Sequence, residues 1–213
     1  MPDSAAPDIP PVTYATAAQQ RAYIAAMHRI RHARRPGEPV RVYISAPPLI
    51  AQRPQWPERL AKIRNRLPGV ELLQFGDLFT PENYEDQWHE MSPSFDGLVV
   101  VGVTKRGPSS HVYRLGEVAR LEVIDIVKTG RPVLLHARKY GLVPFVDCKI
   151  HRVGTSERLR TKVTIPAGWD PKDYEPTLTA ALGALRPRKA EDRQTGQADE
   201  RDHLIRPFAS PSQ

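Results

Sequence analysis

Cysteine is nearly absent: the 213 residues contain one, Cys148. A single thiol excludes an internal disulfide and any zinc site built from several cysteines, and it makes a reducing, cytoplasmic setting the expectation. With no motif around it, Cys148 reads as a small packed side chain rather than a nucleophile. Long apolar runs are missing too. Nothing approaches the ~18 consecutive apolar residues of a membrane span, and the N-terminal stretch has no signal-peptide h-region, so no membrane partner is expected. The common phosphate-binding signatures are also absent. No G-x-G-x-x-G follows the first strand and no Walker A sequence occurs, which argues against the usual dinucleotide fold and against a P-loop enzyme. Trp88-His89-Glu90-Met91 is not H-E-x-x-H, and neither a metal nor a cofactor is expected.

Charge of one sign is in modest excess, at +7. That excess thins out when divided along the chain. Residues 1–35 hold five arginines against Asp3 and Asp8, residues 186–213 hold six basic and five acidic groups, and the middle holds 20 basic and 17 acidic groups. This is a mildly basic domain without a basic face, and nucleic acid is not the expected partner. The cluster Arg29, Arg31, His32, Arg34 and Arg35 reads first as a solvated helix end, with a handle for a partner or for phosphates as the other reading.

At this length the chain can bury one good core. Residues 1–13, rich in proline and alanine, and residues 187–213, polar and without period, read as disordered tails. Between them, 14–36 forms an arginine-rich helix with Tyr23, Ile24, Met27 and Ile30 as its apolar stripe, and 38–186 forms a single α/β domain. Within that domain strands and helices alternate. Strands are expected at 41–46, 69–75, 97–102, 132–137 and 160–165. Helices are expected at 57–67, from Thr80-Pro81 through Met91, at 110–129 and at 171–185. The alternation predicts a flavodoxin- or Rossmann-like open parallel five-stranded sheet with helices on both faces. Ligands of such sheets bind beyond the carboxyl ends of the strands. This directs attention to Ser45 and Pro47, to Asp77, to Gly102, Ser109 and Ser110, and to His136.

One acid stands out. Wound on a helix at ~100° per residue, Val112, Leu115, Ala119, Val123 and Ile126 cluster on the face toward the sheet, and Glu122 lies ~60° from their centre. Glu117 points the opposite way. Gly130 is a natural residue just past the helix end, and Glu122 sits eight residues above it, ~12 Å up the helix and toward the ligand crevice.

The pattern resembles the nucleoside 2-deoxyribosyltransferase-like family, which includes nucleotide N-glycosidases. Val42-Tyr43-Ile44-Ser45-Ala46-Pro47 is similar to the family's opening strand, Y-h-A-G-P. Asp96-Gly97-Leu98-Val99-Val100-Val101 is similar to its D-h-h-h-h-h strand, and Arg120-Leu121-Glu122 with Gly130-Arg131-Pro132-Val133 to its glutamate, eight-residue step and G-K-P-V ending. The resemblance covers residues 40–137. It implies that Glu122 is a nucleophile toward the anomeric carbon of a nucleoside or nucleoside 5′-monophosphate and that Tyr43 supports its carboxylate. The remaining substrate contacts would come from Ser45, Pro47, Asp77, Trp88, Gly102, Ser109, Ser110 and His136. A glutamate suits that chemistry, because a carboxylate can stabilise an oxocarbenium-like state and capture it as an ester. A homo-oligomer is compatible with the resemblance, since many proteins of this fold complete their sites across a dimer interface.

The chain also departs from the family. Positions 116–122 read Gly-Glu-Val-Ala-Arg-Leu-Glu, where the family usually has D/S-x-G-T-x-x-E. Aligning Ser109-Ser110-His111-Val112 with the family's loop instead puts Tyr113 in the nucleophile's place, which implies a binding or sensor module without turnover. Plainer roles stand beside each functional one. Glu122 can pair with Arg120 or Lys128, Tyr43 can be a core aromatic, Ser109 and Ser110 can cap a helix, and Trp88 can simply pack.

Overall fold

The structure, a computed structural model, describes residues 15–104, 111–153, 160–166, 169, 170, 172 and 174–189. Ser109 and Ser110 lie outside the described residues, as do the expected tails except for residues 187–189. Arg188 of that segment donates to the carbonyls of His32 and Arg34 at the end of the first helix.

The elements run α1 (Ala17–Ala33), β1 (Arg41–Ser45), α2 (Pro48–Ala51), α3 (Trp56–Arg66), β2 (Glu71–Gln74), α4 (Phe75–Leu78), α5 (Tyr84–Met91), β3 (Gly97–Val100), β4 (Val112–Leu115), α6 (Glu117–Lys128), β5 (Val133–Ala137), β6 (Gly141–Pro144), β7 (Lys149–Val153), β8 (Arg160–Thr164) and α7 (Glu175–Ala184). Five strands form a mostly parallel sheet in the order β2-β1-β3-β5-β6. Val42 pairs with both Leu72 and Gly97, and Leu98 with Val133, all parallel. The central strand β3 is buried on both faces, which is why its sequence is an unbroken apolar run.

Alternate side chains of β1, β3 and β5 feed two separate cores. Tyr43, Leu98, Val100 and Leu135 pack beneath α5 and α6 with Trp88, Ala119, Val123 and Ile126. Val42, Ile44, Val99, Val101 and Leu134 pack on the other side with Trp56, Ile63 and Leu67 around α3, and with Ala181 and Leu185 around α7. Each fully buried aliphatic side chain of this kind contributes ~1.5–3 kcal/mol. α1 is capped by a reciprocal Thr16–Gln19 pair and packs against α7 through Met27, Ala180 and Ala184.

Four expectations are corrected. The helix expected over 110–129 begins only at Glu117, and 112–115 are the strand β4. Val112, Leu115 and Ala119 fit a helical spacing, but Tyr113 and Leu115 also alternate with half-buried neighbours, and the extended Gly116 (φ −70°, ψ 167°) separates the two elements. The strand 160–165 does form, as β8, but it joins a separate antiparallel sheet, β4-β8-β7. The fifth position of the main sheet is taken by β6, antiparallel to β5 across a hairpin ending at Gly141 (φ +73°), so the sheet is not wholly parallel. α5 begins at Tyr84 rather than at Pro81, because Asn83 Oδ1 folds back to the Thr80 amide (2.7 Å) and closes a turn there.

Candidate functional site

Tyr43 and Ser45 are two residues apart on β1 and therefore share the face that meets α6. Glu122, on the buried flank of α6, completes the meeting. Its Oε2 accepts from the Ser45 hydroxyl and its Oε1 from the Tyr84 hydroxyl at 2.8 Å, and the Tyr43 hydroxyl lies close enough to the carboxylate to favour its charged form. Burial pushes the Glu122 carboxyl up to about 6. The three hydroxyls oppose that rise by favouring the charged form, and the nearby Asp125 carboxylate adds a smaller push upward. The tyrosines respond in turn: burial and the Glu122 charge raise both the Tyr43 and the Tyr84 hydroxyls far above the usual phenol range, so they remain donors.

Aromatic packing holds the donors in place. Tyr43 stacks on Phe95 at 5.3 Å and meets Trp88 at 5.4 Å, and Tyr84 lies edge-on to Phe79 at 5.3 Å. Trp88 is buried in this group and donates its indole N–H to Asp125 at 3.0 Å. The plainer pairings open to Glu122 are not made. Arg120 pairs with Glu117, and the nearest acid to Lys128 is Asp125, at 4.0 Å.

A second feature lies on the opposite face of the same sheet. A cavity of about 560 Å³ opens beside α3 at the carboxyl edge, walled by Trp56 and Tyr113 and bordered by Arg53, Arg59, Lys62, Arg66 and Arg138 against one acid, Glu58. Glu122 is not among its walls. Arg59 reaches across to β5, donating Nε–H to His136 Nδ1 (2.8 Å) and a terminal N–H to the His136 carbonyl (3.0 Å). Because a guanidinium only donates, Nδ1 must accept, and the imidazole proton sits on Nε2. Burial and the charges of Arg59 and Lys62 push His136 down to about 3, so it is neutral across the physiological range. At the floor, Tyr113 packs so tightly over Gly102 that a Cβ there would lie 2.7 Å from the Tyr113 Cβ.

The sequence-derived site residues thus separate into groups. Tyr43, Ser45 and Glu122 meet on the α6 face, while Gly102 and His136 wall the cavity on the α3 face. Pro47 is the residue that precedes and caps α2, and Asp77 is a local cap that accepts from the Gln74 amide at 2.8 Å. Trp88 packs under the Glu122 cluster. Sequence reasoning missed Tyr84, Arg59 and Lys62. Arg59, Lys62 and Arg66 fall at i, i+3 and i+7 of α3 and so share one helical face, a signal that was readable. Nothing local marks Tyr84.

Among the described residues no group of three metal-ligating side chains gathers, and no helix is long and apolar enough to cross a membrane. Fold and site together define a mixed α/β protein with a hydroxyl-bound carboxylate at the carboxyl edge of a mostly parallel sheet. Set against known protein families, characterised proteins and solved structures, the chain matches none of them.

Proposed function

We propose that the chain processes a nucleoside or nucleoside 5′-monophosphate, cleaving its N-glycosidic bond or transferring its 2-deoxyribosyl group through Glu122. The observation that carries this reading is the convergence of the Tyr43, Ser45 and Tyr84 hydroxyls on one buried carboxylate. The strand order supports it as well. With β1 between β2 and β3, the arrangement fits a flavodoxin-like sheet, whose ligand crevice opens where the connections reverse direction, beside Ser45. The resemblance to the nucleoside 2-deoxyribosyltransferase-like family points to the same carboxylate. A cytoplasmic setting, a small-molecule partner and a site completed by a second subunit belong to this reading.

In the first step ionised Glu122 attacks C1′ of the sugar. The C1′–O ester bond forms as the C1′–N bond breaks, and the base leaves with the electron pair and takes up a proton. Water or a second base, giving up the proton that balances the first step, then attacks C1′, and the C1′–O ester bond breaks to return Glu122 to its carboxylate. The three hydroxyls fix the carboxylate's rotamer and keep it charged above about pH 6. The test is nucleobase release from a panel of nucleosides, 2′-deoxynucleosides and their 5′-monophosphates, with Glu122→Ala run in parallel. Release that vanishes in the variant supports the proposal; wild-type protein that releases no base from any panel member contradicts it.

A second reading is binding without turnover. It is favoured by the 2 % exposure of Glu122 and by the occupation of both of its oxygens by hydroxyls. Thermal stabilisation by panel members without base release would establish it in place of the first.

A further inference from the structure

The cavity on the α3 face has no role in the chemistry assigned to Glu122, yet it has the features of a ligand site. Its volume lies within the ~300–1,000 Å³ usual for small-molecule pockets. Five cationic side chains border it, and the one acid, Glu58, is already engaged by Lys62 at 2.7 Å. The cations also repel one another: burial and the neighbouring Arg138 charge push Arg59 down to about 10. Glu58 relieves that crowding only in part, through Lys62 and the Arg138 charge: Arg59 spends two donors on neutral His136, and among the described residues Arg66 and Arg138 form no ion pair. A bound anion would relieve it. The remaining wall is of a different kind. Trp56, Ile50 and Leu142 are apolar, and the Tyr113 hydroxyl, buried at the floor, has no hydrogen-bond partner among the described residues. Trp56 is fixed by its indole N–H to Gln74 Oε1 (2.7 Å), so its ring is held rigid at the rim.

We propose that this cavity binds a phosphorylated nucleoside carrying at least two negative charges, at a site separate from Glu122. Phosphate oxygens meet Arg59, Lys62 and Arg138, and the base packs against the Ile50 and Trp56 rim. Strand alternation supports the separation: His136, Ile44 and Val101 face α3, whereas Tyr43, Ser45 and Val100 face α6. The inference does not depend on whether Glu122 turns over a substrate.

The test is isothermal titration of the full chain with ADP, inorganic pyrophosphate and adenosine at low and moderate salt. ADP is expected to bind at least tenfold more tightly than adenosine, with affinity falling as salt rises, and more tightly than pyrophosphate. Lys62→Gln/Arg138→Gln, at two exposed positions whose loss leaves the fold intact, is expected to weaken ADP at least tenfold. Glu122→Gln is expected to leave ADP affinity within twofold. ADP no tighter than adenosine would overturn the anion site, and ADP no tighter than pyrophosphate would overturn the nucleoside assignment. An ADP affinity that survives Lys62→Gln/Arg138→Gln would overturn the location. One lost in Glu122→Gln would overturn the separation of the two sites.

Discussion

The two faces of one sheet carry opposite electrostatics. On the α6 side an acid is sealed among hydroxyl donors and aromatic rings, with burial working against its charge. On the α3 side bases surround an open hollow, and the imidazole at its edge is kept neutral by burial and by the arginine that holds it. The strands supply both environments from adjacent residues: Ser45 and Ile44 are neighbours in sequence but belong to different cores. Proximity along the chain, or at the same strand end, therefore does not place two residues in one site. Gly102 and His136 share the carboxyl edge with Ser45 yet wall a different space.

The largest effect that separates the faces should be on turnover. Glu122→Gln is expected to remove base release by ~10⁴-fold or more, as loss of a nucleophile does, and Tyr43→Phe to lower it ~10²-fold while leaving the fold intact. Steady-state kinetics on both variants checks this, and an unaffected Tyr43→Phe would detach the tyrosine from the chemistry. Next in size is packing at the cavity floor. Gly102→Ala forces a methyl against Tyr113 and should cost ~1–3 kcal/mol in urea unfolding. A neutral result there would mean that Tyr113 moves freely.

Acid should divide the two faces by sign. His136 has a lowered folded pKa, so the unfolded chain binds the extra proton first, and stability falls as pH drops below 6.5, by ~2 kcal/mol near pH 5. Glu122 has a raised folded pKa, so the native state takes its proton first, and its contribution grows as pH falls through about 6. Unfolding midpoints from pH 8 to 5 should therefore decline less steeply in His136→Asn and more steeply in Glu122→Gln than in the parent. Parallel curves would remove both assignments. The smallest effect concerns the exposed Glu58–Lys62 pair, which is worth little to stability. Glu58→Gln should leave the melting temperature unchanged while tightening ADP severalfold, because it removes the only acid among the described residues that line the cavity.

The elements that position Glu122 were legible where burial leaves a strong trace. β3 is an interior parallel strand that reads as an unbroken apolar run, β1 and β5 carry the apolar cores Val42–Ile44 and Val133–Leu135, and Gly130 with Pro132 marks the return from α6 to β5. The start of α6 was not legible, because Val112, Leu115 and Ala119 satisfy a helical period while Tyr113 and Leu115 satisfy a strand period, and only pairing with β8 decides between them. β8 was visible as a strand, but its sheet was not, since its partners β4 and β7 are short and charged. The glutamate and its tyrosine were readable from motif and helical angle together. Tyr84 arrives from a different helix with no local mark, and the partnership of Arg59 with His136 spans 77 positions of sequence. Contacts of that kind exist only once the chain is folded.

Nucleobase release, measured side by side for the parent chain, Glu122→Gln and Lys62→Gln/Arg138→Gln, tests the division of roles between the two faces most directly. Release is expected to be lost in the first variant and retained in the second, with the cavity governing only ADP affinity. Release retained in Glu122→Gln, or lost in Lys62→Gln/Arg138→Gln, would contradict that division.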